Sequence, residues 1–441
     1  MSSFLLIWAS QLFSIFGTGM TRFAVTIWAY QQTGKATTLA LMGFFNTAAY
    51  VLFSPLAGVM ADRWSRKWVV ALADAGAGLV TAGLLALFLS GRMQIWHLYL
   101  AGVLSNALGA FQDPAFTASV SVLVPEKQLT RANGLLSLAN DGSRMFAPML
   151  AGFLLLPLGV HGIMMIDLAT CLVAVSIMLI ARIPSPSLST EGKASRGHLR
   201  KEIAFGFKYI AHHPGLMGIL MIFAGINLFA AITYFGVLPA MILARSQGDQ
   251  VALGLIQSLL GVGGVVGGLF LSLWGGPKNR INGFLLSATA SFLLGDFFFA
   301  IGRSLPVWTV AAFVTALFIP LIISCYEAIW QSSVPQDIQG RVFSAKNMIQ
   351  IGSMPLGYLL AGWLADGIFE PAMAAGGSLA GTFGWLVGTG PGAGMGLMFM
   401  CTCILGTLTC LAGLFVPVVR DLEKVHPHAE PVARVIQANA E

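Results

Sequence analysis

Twelve long apolar runs dominate this sequence and leave few folds open to it: 4–30, 38–61, 69–90, 94–116, 134–157, 161–182, 216–243, 251–274, 281–301, 306–329, 344–365 and 394–418. Each is long enough to span a bilayer as a helix, at about 20 residues or more. None shows the strict alternation of a barrel strand. With no water in the hydrocarbon core, the backbone must satisfy itself inside helices. Only 10% of the 441 residues are charged and 56% are hydrophobic, against about 25% charged in a soluble domain. A water-soluble fold would leave too much apolar surface exposed. The expectation is an all-α membrane protein with twelve transmembrane helices. The first run is too long for a signal-peptide core and lacks a basic flank, so it belongs to the mature chain.

An even number of spans puts both termini on one side, and basic residues choose which. With cytoplasmic termini, 18 of the 24 Lys and Arg fall on inner segments and four on outer loops (Lys35, Arg92, Arg245, Arg303). Arg22 and Arg144 lie within spans. The net charge of +6 therefore reflects topology and anionic lipid, and gives no reason to expect nucleic acid. All five cysteines (Cys171, Cys325, Cys401, Cys403, Cys410) fall in apolar spans. Neither a disulfide nor a metal site is expected, and no P-loop or nucleophile elbow occurs. An enzyme is not expected, and no cofactor is implied.

A polar stretch from Ile183 to about Gly197 divides the chain near its middle. After it, Leu199, Ile203, Phe207 and Ile210 recur at helical spacing, with Arg200, Lys201 and Lys208 elsewhere around the helix. This predicts an amphipathic helix on the inner leaflet. The expected organisation is a six-helix bundle at 1–182, a cytoplasmic linker with that helix at 183–215, a second bundle at 216–418 and a cytoplasmic tail at 419–441. The two bundles resemble each other at one offset of 210 residues: "VPEKQLTR" (124–131) meets "VPQDIQGR" (334–341), Gly142-Ser143 meets Gly352-Ser353, Ala151-Gly152 meets Ala361-Gly362, and Gly58 meets Gly268. A shared offset over so many landmarks implies a duplicated unit. Two such halves, related about an axis normal to the membrane, form an alternating-access architecture.

"GVMADRWSRK" (58–67) puts Asp62, Arg63, Arg66 and Lys67 into a short turn between apolar runs. It resembles the loop 2–3 signature of the major facilitator superfamily, with Ser65 in the usual glycine place. Span 5 resembles that superfamily's antiporter signature, through Gly134, Ser143, Ala147, Pro148, Ala151 and Gly152. Three glycines of that pattern are replaced here by Ser or Ala, and small size, which close helix contact needs, is kept. The stretches "LLIWASQLFSIFGTGMTRFAVTIWAYQQTG" and "GFKYIAHHPGL" are most similar to the macrolide-efflux-type drug:proton antiporter branch. The resemblance implies central helices 1, 4, 7 and 10, and so nominates Gln11, Asn106, Asn227, Tyr234 and Phe235 for the substrate cavity, with Arg22 beside them. Many drug:proton antiporters of the superfamily carry an Arg in helix 4. Span 94–116 has none and offers His97, Asn106, Gln112 and Asp113.

Ionisable residues within spans are costly and are functional candidates. Asp141 and Arg144 are three apart on one face of span 5. Either they form a structural pair or Asp141 exchanges a proton beside Arg144. Asp74 in span 3 is a coupling residue or a gate contact. Glu327 near the inner end of span 10 suits a partner for a basic loop residue. Arg22 lies toward the outer end of span 1, where it can snorkel. Asp113, Asp167 and Asp296 are near span ends and are expected at the interface. Gly58, Asp62 and Arg63, with Arg66 and Lys67, are expected to latch the cytoplasmic side when the halves close there. "GVGGVVGG" in span 8 predicts Gly263/Gly267 and Gly264/Gly268 as close-packing pairs that let helices rock.

The expected function is export of an amphiphilic, drug-like compound by proton antiport, without ATP. A lipid or lysophospholipid flippase, a siderophore exporter, and a non-transporting sensor or assembly factor on the same scaffold are the alternatives. Expected partners are a small amphiphilic substrate, protons and membrane lipids around a monomer in a bacterial inner membrane.

Overall fold

The computed structural model describes residues 2–61, 65–124, 129–181, 199–335, 338–420 and 422. Ten described helices are long and apolar enough to cross a membrane. One of them, Gly142–Ile180, runs 39 residues and breaks at Gly159, where φ is 63°. That left-handed turn is open to glycine at little cost, and it makes two helices, α5 (129–158) and α6 (160–180). The remaining crossing is α4, Ile95–Leu123. His97, Asn106, Gln112 and Asp113 make it the least apolar of the twelve.

Before these come α1 (Ser2–Thr33), α2 (Ala36–Ala61) and α3 (Arg66–Leu89). After them come α7 (Leu199–His212), α8 (Pro214–Arg245), α9 (Gln250–Trp274), α10 (Arg280–Ile301), α11 (Leu305–Ser333) and α12 (339–373). A short α13 (Ala380–Val387), α14 (Ala393–Phe415) and α15 (Pro417–Arg420) complete the chain. The fold is two six-helix bundles of the same design. In the first, α1 packs on α5, α2 on α4, and α3 on both α4 and α6. In the second, α8 packs on α12, α9 on α11, and α10 on both α11 and α14. The partners correspond span for span, which is the duplication seen at the 210-residue offset.

The helix at α7 is present, and the described part of its apolar face, Phe207 and Ile210, packs on protein. Ile210 is fully buried against Leu216, Ile219 and their neighbours in the second bundle, and Lys208 points outward. The stretch 366–393 is also ordered by specific contacts. Glu370 accepts hydrogen bonds from the backbone N–H of Gly392 (3.0 Å) and Met395 (2.8 Å), capping α14. Arg245, at the end of α8, donates to the carbonyls of Gly302, Val387 and Gly392. "FGWLV" forms α13 with Trp385 outward.

Glu327 pairs with a helix residue. Lys346 of α12, counted above with the inner loops, is 2% exposed and reaches both carboxylate oxygens of Glu327 at 2.7 and 2.8 Å. Its ammonium also lies 5.0 Å from the Phe343 ring centroid and 5.2 Å from that of Tyr326. Lys346→Ala is expected to cost about 3 kcal/mol, the low end for a broken buried pair, because Glu327 is 35% exposed and water screens it. Thermal unfolding in detergent checks this, and Lys346→Met with Glu327→Gln should recover most of the loss.

Candidate functional site

Three carboxylates, Asp74, Asp167 and Asp296, are buried inside the bundles. In the first bundle, Asp74 of α3 accepts from Gln11 Nε2 of α1 at 2.6 Å and from Gln112 Nε2 of α4 at 2.7 Å. The Cys171 thiol of α6 donates to the Asp74 carbonyl at 3.3 Å. Four helices thus meet at one residue. Gln11 is 3% exposed and is committed to Asp74, so it does not offer its amide to a cavity. No described residue balances the Asp74 charge with a cation. Gain or loss of a proton there changes the charge of the wall between α1, α3 and α4.

Asp167 and Asp296 are not at the interface. Asp167 of α6 is 2% exposed and accepts from Thr18 (3.0 Å) and Thr81 (3.2 Å). Asp296 of α10 is 0% exposed. It accepts from Tyr234 of α8 through a short hydrogen bond and from Thr402 of α14 at 2.6 Å. Tyr234 also shares a 3.1 Å contact with Thr315 of α11. The helices widen to i→i+5 bonding at Thr233–Val237, Ser291–Asp296 and Ala365–Phe369. Such turns gather at functional positions, and here they carry Tyr234, Asp296 and Asp366. Among the described residues no group of His, Cys, Asp and Glu suits a metal ion.

The two bundles meet toward the end opposite residues 2 and 415. On one side, Asp366 of α12 accepts from the N–H groups of Ala36 (3.1 Å) and Thr37 (2.7 Å), capping α2 of the other bundle. Thr37 donates back to the Gly362 carbonyl at 2.9 Å. Deeper on that side the Tyr358 ring lies against Gly43. On the other side α5 packs on α9 with no room for side chains. A Cβ on Gly254 would sit 2.6 Å from the Pro148 carbonyl oxygen, one on Gly152 3.0 Å from that of Gln250, and one on Gly261 2.6 Å from Met145 Cβ.

The sequence matches the major facilitator superfamily over residues 7–357. The chain belongs to that superfamily. It groups with the macrolide-efflux branch: it is 26% identical over 373 residues to macrolide efflux protein A of Streptococcus pyogenes, covering 83% of this chain and 90% of that protein. It is 24% identical to the multidrug efflux pump Tap of Mycolicibacterium fortuitum over 79% of this chain and 86% of the pump. It is also 24% identical to the enterobactin exporter EntS of Salmonella choleraesuis strain SC-B67, over 81% and 85%. A solved bacterial homologue of the human lysosomal transporter Spinster superposes with a TM-score of 0.69 at 15% identity, over 96% of this chain and 97% of that one. The protein is therefore a membrane exporter of the major facilitator type, and no covalent chemistry is asked of its residues.

The superfamily motifs can now be placed. Asp62, Arg63 and the surroundings of Gly58 lie outside the described residues, as do the side chains of Gly134, Asp141 and Arg341. Arg66 opens α3, and Lys67 donates to the Leu179 carbonyl of α6 at 2.6 Å. The antiporter motif splits by face. Ser143 donates to the Ile15 carbonyl at 3.1 Å, and Ala147 lies against Gly19, so these residues join α5 to α1. Pro148 and Gly152 join α5 to α9 of the other bundle. Ala151 is buried. Of the glycines in span 8, Gly263 and Gly267 pack on the Phe313 and Leu317 carbonyls of α11, within one bundle. Gly264 has nothing within 4 Å and Gly268 only Pro320 at 4.0 Å, so that pair does not pack. The contacts between bundles come instead from Gly254 and Gly261.

Of the remaining cavity candidates, Asn106 turns back to its own helix at the Gly102 carbonyl (2.9 Å), and Asn227 donates to the Gln350 carbonyl (3.2 Å). Phe235 is exposed. Arg22, Arg144 and Asp113 are exposed, and Tyr50 donates to Asp113 at 3.2 Å.

Proposed function

We propose that this protein exports a small amphiphilic organic compound from a bacterial cell by proton antiport, with both termini on the cytoplasmic side of the inner membrane. The bundles 1–182 and 216–418 act as the two moving bodies. The observation that carries this is Asp74. It is a carboxylate inside the membrane, held by two amides from two other helices, with no cation among the described residues to fix its charge. An ionisable group so placed is where a transporter loads and unloads a proton. The seal at one end of the bundles supports alternating access, since it closes one route while the other stays available.

Two latches divide the cycle on this reading. Asp366 on the α2 N-terminus holds the side opposite the termini shut. The Gly58–Lys67 turn, with Asp62 as acceptor, holds the terminus side shut in the other state. Releasing one and forming the other exchanges similar charge-assisted contacts at helix ends, so neither state is trapped.

Purified protein in proteoliposomes, loaded with a radiolabelled macrolide, tests the proposal. An imposed gradient of 2 pH units should concentrate the compound about 100-fold for one proton exchanged, at about 1.4 kcal/mol per unit. Flux that ignores the gradient would refute antiport, and no flux of any amphiphile would favour a sensor.

A further inference from the structure

The second bundle buries a carboxylate that the transport cycle leaves unused. Asp296 of α10 is 0% exposed, and Thr315 of α11 and Thr402 of α14, which close the cluster around it, are 3% and 4% exposed. Of the four members only Tyr234 of α8, which donates to Asp296 Oδ1, is half-buried. The rings of Phe299 and Phe399 stand edge-on to the Tyr234 ring, with centroids 5.7 and 5.5 Å away. Gly295 leaves no room for a side chain against Thr315 and Tyr234. The carboxyl is therefore walled by hydrocarbon, and Tyr234 stands between it and accessible surface.

Asp296 forms no ion pair with a described residue, and the helices around it are described throughout at this level. From α8 come Tyr234 and, at the helix end, Arg245, which donates to the carbonyls of Gly302, Val387 and Gly392 and lies within electrostatic reach of Glu370. From α14 comes the Cys403 thiol. On α11 no titratable group lies within two turns of Thr315. The corresponding junction of the first bundle differs. Counted from Arg66 and Arg280, Thr81 and Asp296 lie at the same level of α3 and α10 to within one residue. There Asp167 meets Thr18 and Thr81, and the charge of Arg22 lies in electrostatic reach.

The hydrogen bonds around Asp296 suit a protonated carboxyl. Thr402 Oγ1 lies 2.6 Å from Asp296 Oδ2 and 3.1 Å from the Phe399 carbonyl oxygen. Its one hydrogen can go to that carbonyl, which leaves its oxygen free to accept the carboxyl proton. At the other oxygen, Thr315 can donate to Tyr234 while Tyr234 donates to Asp296. Every polar atom is then paired and no charge is buried. Ionised, the carboxylate keeps two neutral donors against a full charge, which burial makes costly.

The cluster is built into the seal between the bundles. Tyr234 and Asp296 sit on the widened turns Thr233–Val237 and Ser291–Asp296. The first bundle's α2 packs on the Tyr234 turn and on Ala365–Phe369, the turn that carries Asp366. A Cβ on Gly236 would stand 2.6 Å from Ala361 Cβ of α12. An ionised Asp296 needs water, and water reaches it when Tyr234 swings aside. Contacts with α2 and α12 pin the Tyr234 turn while the bundles are shut.

We infer that Asp296 is a second proton-binding site, occupied while the end opposite the termini is sealed, and that loss of its proton releases that seal. The proton leaves and returns on the same side of the membrane, so it adds nothing to the exchange at Asp74. The sealed state binds the proton more tightly, so acid on that side favours the seal and rising pH weakens it. The inference rests on the moving seal proposed above.

The test uses Asp74→Asn protein in detergent, so that Asp74 does not titrate. Spin labels at Lys35 and Trp385 are read beside infrared spectra from about pH 5.5 to about pH 9. A carboxylic C=O band that shifts in D2O and is missing after the further change Asp296→Asn reports the Asp296 proton. That band should fade as pH rises, and the ratio of short to long label distances should fall with it by about fivefold or more. Asp296→Asn is neutral at every pH, with its carbonyl accepting from Tyr234 and its amide donating to Thr402, and should hold the short distance throughout. Asp366 and Glu370 still titrate in that variant, so it also subtracts their effect. Tyr234→Phe removes a donor that the ionised form needs more than the neutral one, so band and short distance should both persist to a pH about one unit higher. Absence of the band at every pH, a band unchanged up to the alkaline limit, or a distance change equal in Asp296→Asn overturns the inference. Labels that move when the macrolide of the flux experiment is added, but ignore loss of the band, overturn it and leave the exporter cycle standing. Labels fixed against both pH and macrolide while the band titrates overturn the release and end the moving seal itself.

Discussion

Asp74→Asn is expected to abolish concentrative transport while leaving the protein folded. In the gradient experiment the wild type reaches an accumulation of about 100-fold, and the variant should stop near equality, a loss of about 2.7 kcal/mol of coupling. The reason is the local geometry. Gln11 and Gln112 both donate to the carboxylate, one to each oxygen. Asparagine keeps the shape and one acceptor oxygen, and either glutamine can flip its amide to meet the new N–H donors. The four-helix junction survives and only the exchangeable proton is lost. Asp74→Ala differs. It strands two glutamine amides among buried groups, at about 1–3 kcal/mol each, and should lower thermal stability as well as transport. Wild-type accumulation by Asp74→Asn would move the proton elsewhere, and Asp296 with Tyr234 and Thr402 would be the next position to examine.

The fold was legible because hydropathy in a bilayer is a one-dimensional signal. The crossings are visible as runs, the α5–α6 break is marked by Pro157 and Gly159, and the duplication shows at a fixed offset. The exception, α4, is informative: the polar residues that weaken it as a span include Gln112, which holds Asp74. Site partners were harder to foresee, because they join helices far apart in sequence. Gln11 and Asp74 are separated by 63 residues, and threonine hydroxyls such as those on Asp167 and Asp296 carry no distinctive pattern. Counting depth from span ends misplaced both aspartates, since hydroxyl partners on neighbouring helices enclose them even near the ends of α6 and α10. Glycine spacing predicted close packing on span 8 but not its direction. Gly263 and Gly267 face a helix of their own bundle, while the contact between bundles uses Gly254, four residues into the helix, and Gly261.

That contact makes the second large prediction. Gly254→Val should drive the protein out of the closed arrangement at the end opposite the termini and cut transport at least about tenfold. A valine Cβ would stand 2.6 Å from the Pro148 carbonyl oxygen and 3.5 Å from Met149 Cα. Both are backbone or rigid ring-bound positions that cannot swing aside. Overpacking of this kind costs about 1–3 kcal/mol, enough to shift a balanced two-state equilibrium roughly 5- to 150-fold. The strain exists only while α5 and α9 touch, so it falls on one state of the cycle and leaves the other free. Spin labels at Lys35 and Trp385, both at that end, should report a longer distance in Gly254→Val than in the wild type. Gly264→Val is the control on the same helix, because nothing lies within 4 Å of its Cβ, and it should keep both the distance and the flux. If Gly254→Val transports normally with an unchanged label distance, the α5–α9 seam is not a moving contact, and alternating access in this protein would have to be sought between other helices.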